Sequence, residues 1–193
     1  MLAASRKVKM SSLKSILKKV QEKINPPKER NSITVDDVSM DFPLVFDGNG
    51  KMYFFKLDRY VYVKGTRYTK LDKKSRPFLL TCRFRRGFMS DGASAPEFAK
   101  MFVPDIKKGD DVYNAAPFIH DGLYMYQGNI NGLNMTREEC DDILRGIWRI
   151  AGLSRAVAGA ADVGVHVFAG SPTHWGNDSN NCKHLFEAKF EYR

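Results

Sequence analysis

No run of about 18 consecutive apolar residues occurs in this chain, so no membrane-spanning helix is expected. The N-terminus lacks the long apolar core of a secretory signal. Cysteine is scarce. Cys82, Cys140 and Cys182 are odd in number and show no paired spacing, which argues against a disulfide framework or a zinc ribbon and favours a reducing compartment. The serine-hydrolase signature GxSxG is missing, so Ser94 in "SDGASAP" reads as part of a turn rather than as a nucleophile. His120 is the first histidine, which removes the phosphohydrolases that need an earlier metal-binding one. Internal repeats are absent, and the basic N-terminal tail is the one biased segment.

What is present is an ordinary globular composition in 193 residues, 43% of them hydrophobic, enough for one domain with a real core. The net charge of +9 is unevenly placed. Residues 1–30 carry nine Lys or Arg against Glu22 and Glu29, and the remainder is nearly neutral. Within that tail Leu13, Ile16, Leu17, Val20 and Ile24 recur at helical spacing among lysines and stop at "NPP". The spacing predicts a basic amphipathic helix suited to an anionic membrane surface or to a groove on a partner protein. A solvated helix packed on its own domain is the plain alternative. No aromatic residue interleaves the lysines, so nucleic acid is the less favoured partner.

From Ile33 to Cys82 the pattern is that of strands. "DGNGK" (Asp47 to Lys51) is a turn signal, and "KLDRYVYVKGTRYT" (Lys56 to Thr69) alternates as a half-buried strand does. "RPFLLTCRFRRGF" (Arg76 to Phe88) supplies another, its arginines read as a solvated strand end. Three helices are expected to follow. The first has Asn114 as N-cap and Pro117 in its first turn, and it ends near Gly128. The second is opened by a capping box of Thr136 and Glu139 and reaches Ile150. The third runs over Ser154 to Gly170. The expected fold is α+β: residues 1–30 a basic tail, 31–193 one domain, with 31–90 mainly β as an antiparallel sheet and 91–193 mainly α.

The polar residues of the first two helices converge. His120 and Tyr124 are four apart and share a helix face, while Asp121 turns away from it. The next helix offers Asp141 and Asp142, and antiparallel packing would bring one of them to the imidazole. A histidine oriented by a carboxylate is the arrangement that general-base catalysis needs. Asp121, with Asp91 as a second candidate, could then ligate a hard cation such as calcium. A buried hydrogen-bonded knot is the structural alternative. His166, His174 and His184 lack a compact ligand spacing, and Trp148 and Phe168 read as core.

Two resemblances attach to these residues. "GFMSDGASAP" (Gly87 to Pro96), then "AAPFIHDGLY" (Ala115 to Tyr124), then an aspartate on the next helix, resembles a domain-of-unknown-function family common in tailed phages and prophages. It spans roughly residues 55–170 and implies a phage protein without an established activity. "HDGLY" followed by "ECD" (Glu139 to Asp141) is similar to the histidine–aspartate–tyrosine helix and partner aspartate of phospholipase A₂, above all the disulfide-free form in parvovirus capsids. That resemblance implies His120 as the base, Asp121 as a calcium ligand, and Tyr124 and Asp141 as supports of the histidine. It also selects Asp141 over Asp142. The disulfides and a recognisable glycine-rich calcium loop of the secreted enzymes are missing here.

These readings lead to two expectations. One is a phage-encoded, calcium-dependent ester hydrolase at membrane surfaces. The other is a non-catalytic virion or host-interaction protein in which the His–Asp pair is structural. The host cytoplasm or the virion is the expected location.

Overall fold

Strand β4 (Arg59–Thr69) turns Val61, Val63 and Gly65 inward and leaves Tyr60, Tyr62 and Lys64 outside, the alternation expected of a sheet wet on one face. It pairs antiparallel with β1 (Ser32–Met40) on one side and with β5 (Lys74–Phe84) on the other. The computed structural model describes residues 30–48, 51–92, 103–159, 175–176, 178 and 181–193. The helix expected in the tail, which ends at "NPP", lies outside them, as does Ser94; Arg30, the last residue of the tail, is described.

A hairpin of β2 (Phe46–Gly48) and β3 (Tyr53–Phe55) flanks the expected turn, and β6 (Met89–Ser90) pairs with β3 as a small second sheet. Helix α1 (Asp111–Met125) follows, then a two-stranded ribbon of β7 (Asn129–Ile130) and β8 (Leu133–Asn134), then helix α2 (Arg137–Ile150). Of the third expected helix, residues 155–159 are helical, and the rest lies outside the described residues. The architecture is α+β, an N-terminal antiparallel sheet with helices packed on it.

Two expectations are corrected. The cap of α1 is Asp110, whose carboxylate accepts from the Tyr113 amide at 2.9 Å, four residues ahead of the expected cap. Asn114 sits buried inside the first turn and bonds the Lys107 backbone instead. Pro117 is therefore interior, where its missing N–H removes one intrahelical bond. The helix tolerates this because twelve of its fifteen residues are buried, so packing rather than propensity holds it.

The second correction is β9 (Phe186–Tyr192). The stretch expected to be mainly helical returns to the main sheet and pairs antiparallel with β5, giving the order β1-β4-β5-β9. Phe186 and Phe190 point inward and are four apart, a spacing that suits a strand face and a helix face alike.

Two close approaches set the layers. A Cβ on Gly122 of α1 would lie 2.6 Å from the Phe186 ring, and one on Gly146 of α2 would lie 2.5 Å from Val35 Cγ2. Gly122→Ala is thus expected to cost about 1–3 kcal/mol by overpacking against β9. Urea unfolding would show it, and an unchanged midpoint would mean that the ring moves aside freely.

Inside this frame Arg67, an inward position of β4, is 5% exposed and meets Glu139 of α2, which is fully buried. Glu139 also completes the capping box with Thr136, and Arg67 reaches the Tyr192 hydroxyl at 2.8 Å. One ion pair therefore ties sheet, helix start and last strand together. It is the first point where sequence alternation places a charge in the core.

Candidate functional site

His120 and Tyr124 lie on one face of α1, and their rings are 3.9 Å apart between centroids. Across from them stands Asp141 of α2. Its Oδ1 is 3.1 Å from His120 Nε2 and accepts the Tyr124 hydroxyl at 2.6 Å. Arg137 Nε donates to the same hydroxyl at 3.1 Å. Residues later on α1 meet residues earlier on α2, so the helices run antiparallel, as their short connection favours.

Asp142 points elsewhere. It accepts from both terminal nitrogens of Arg30, from the Ile33 amide and from Arg145, and so pins α2 to β1. Burial raises its pKa, against the opposing pull of the two arginines. The two adjacent acids thus separate into one partner for the histidine and one anchor for the sheet.

Asp121 occupies the outer side of the cluster, with its side chain 22% exposed. Its Oδ2 accepts the Ser90 hydroxyl at 2.6 Å, and Ser90 Oγ in turn accepts from the Gly92 amide at 3.0 Å. Asp121 Oδ1 is 3.9 Å from His120 Nδ1, beyond hydrogen-bond range, so it acts there as a nearby charge. Asp91, the other expected metal ligand, is exposed, and it is its neighbour Ser90 that meets Asp121. Sequence reasoning missed Ser90. The available signal was its inward position two residues after the buried Phe88.

The electrostatics favour an ionised histidine. Burial pushes the imidazole pKa down, and the carboxylates of Asp121 and Asp141 more than offset this, raising it from 6.5 to about 9. Burial, reinforced by the Asp141 charge, pushes the Tyr124 phenol far above its ordinary range, so it stays a neutral donor. Trp175 packs edge-on against Tyr124 at 4.9 Å, and the Gly176 amide donates to the Tyr124 carbonyl at 2.8 Å.

A raised histidine pKa has a definite stability sign. The folded state binds the proton more tightly, so the contribution is fully present below about pH 6.5 and is lost as pH rises through about 9. Its size is on the order of 3 kcal/mol. Urea melts from pH 6 to 10 are expected to show this decline in the native protein and not in His120→Gln. Equal slopes in both would place the pH dependence in other groups.

Calcium was the expected cofactor. A hard divalent cation takes about six to eight oxygens. Among the described residues Asp121 supplies one carboxylate, already engaged by Ser90, and no group of three or more His, Cys, Asp or Glu gathers. The described donors therefore do not fit a calcium site by themselves.

Among the described residues no helix is long and apolar enough to cross a membrane. No curated protein and no solved structure matches this chain. Residues 69–163, which include Ser90, His120, Asp121, Tyr124, Arg137 and Asp141, match the family described as protein of unknown function (DUF1353).

Proposed function

We propose that the protein is a phage-encoded ester hydrolase that works at a membrane surface with His120 as its base. The observation that carries this reading is the shared acceptor. One oxygen of Asp141 takes both His120 Nε2 and the Tyr124 hydroxyl. That contact keeps the proton of the neutral imidazole on Nε2 and leaves Nδ1, on the side of Asp121, to take a proton from water. The activated water attacks the ester carbonyl, and the imidazolium, held by Asp141, returns its proton to the departing alkoxide. The arrangement supports the role that the phospholipase A₂ resemblance implies for each of these residues.

The basic tail supplies the second half of the proposal. Eight of the nine cationic side chains in residues 1–30, all but Arg30 with its Asp142 partner, suit an anionic lipid surface, where each cation near the surface contributes about 1 kcal/mol. The test is hydrolysis of fluorescent phospholipid in anionic vesicles, with and without added calcium, alongside a melting curve for each sample. Turnover supports the reading, and a calcium-dependent rise in Tm with it would bring the cation into the site.

A second reading has its own observation. Both ring nitrogens of His120 face carboxylates, and its side chain is 6% exposed, which suits a structural knot in a virion or host-interaction protein. No turnover from a well-folded sample would select it.

A further inference from the structure

We infer that Arg137 holds the phosphate of a phospholipid substrate, a role that deepens the hydrolase reading above and rests on it. The cations buried near the helices are matched to carboxylates: Arg67 to Glu139, and Arg30 and Arg145 to Asp142. Arg137 differs. It touches the histidine cluster, yet it has no carboxylate partner among the described residues, and its hydrogen bond there is the one from Nε to the Tyr124 hydroxyl. Its guanidinium carbon lies 5.6 Å from the centroid of the Tyr124 ring. The residue is only partly buried.

These facts define a binding geometry. The Nε bond and the ring contact hold the guanidinium beside Tyr124. Its two terminal nitrogens form a fork without an acceptor among the described residues. A planar fork of two N–H donors matches two oxygens of a phosphate or carboxylate. The nearby carboxylates bond to other groups. Asp141 is taken up by His120 and Tyr124, and Asp121 by Ser90.

The position also selects the substrate class. Arg137 reaches the cluster from the Tyr124 side, while the proton-accepting Nδ1 of His120 lies on the Asp121 side. The anion that it holds is therefore a group beside the reacting ester and not the ester itself. In a glycerophospholipid the phosphodiester is such a neighbour. In a neutral acylglycerol there is none.

The experiment uses the full chain and two readouts. Calorimetry measures binding of monomeric dihexanoylphosphatidylcholine and, separately, of inorganic phosphate. Kinetics compares hydrolysis of that lipid with hydrolysis of tributyrin. Arg137→Gln is expected to weaken lipid binding and raise its KM about 10–100-fold, the scale of a lost charge-assisted bond. The ratio of phospholipid to tributyrin kcat/KM should fall by a similar factor, and Arg137→Lys should restore part of both.

Parallel losses on both substrates would overturn the assignment, because Arg137 would then be acting through Tyr124. Unchanged lipid affinity in Arg137→Gln, or no lipid binding by the native protein, would overturn it as well. Binding of inorganic phosphate as tight as that of the lipid would shift the ligand to free phosphate and reject the lipid. Arg137-dependent lipid binding without any hydrolysis would uphold Arg137 and reject the hydrolase reading.

Discussion

Asp141→Ala is expected to destabilise the fold by about 3–5 kcal/mol, the range for removing one partner of a buried ion pair. Asp141 is fully buried, and a single oxygen of it accepts from two groups that are themselves buried. Without it, His120 keeps a charge with one remaining carboxylate 3.9 Å away, and the Tyr124 hydroxyl loses its short bond. The imidazole would respond by giving up its proton, which limits the damage without removing it. For a domain of this size the loss corresponds to a fall in Tm of about 10 °C. Asp142→Ala should also destabilise, through loss of the Arg30 and Arg145 contacts, but it should leave the histidine pKa near its native value. Urea melts paired with NMR titration of His120 would separate the two variants. A loss below about 1 kcal/mol for Asp141→Ala would show that the cluster does not hold the core.

His120→Gln carries the largest expected change in activity, a fall in kcat of about 100- to 10,000-fold, the usual worth of a positioned general base. Glutamine can still hydrogen bond to Asp141 but cannot accept a proton. In the proposed reaction the raised pKa sets the pH profile. Only the neutral imidazole serves as base, so kcat/KM should rise about tenfold per pH unit below about pH 9 and level off above it. Stability moves the opposite way over the same interval, since the charged histidine is the stabilising form. A pH–rate profile on phospholipid vesicles would check this, and retained hydrolysis in His120→Gln would remove His120 as the base.

The opposed slopes expose a trade-off in one cluster. Asp141 orients the imidazole, and with Asp121 it also keeps the ring protonated near neutral pH. Any group that reduces the charge of Asp121 would lower the histidine pKa and bring the base into use nearer pH 7. Ser90 already donates to that carboxylate, which makes the β6 strand part of the electrostatics of the site.

The sequence by itself determined what depends on near neighbours in the chain. The alternation of β4, the capping box of α2 and the shared face of His120 and Tyr124 each follow from the geometry of residues two to four positions apart. Tertiary structure decided the rest, because the partners lie far apart in sequence. Asp141 and Asp142 differ by about 100° around the helix axis, so the roll of α2 decides which of them meets His120. Gly146, where a Cβ would meet Val35 of β1, lies four residues after Asp142, on the side of the helix that faces the sheet. Ser90 reaches Asp121 across 31 residues, and Arg67 reaches Glu139 across 72. The strand β9 exists because β5 offers it an edge to pair with. Its seven residues, with phenylalanines four apart, satisfy both periods, and only the hydrogen bonds to β5 choose between them.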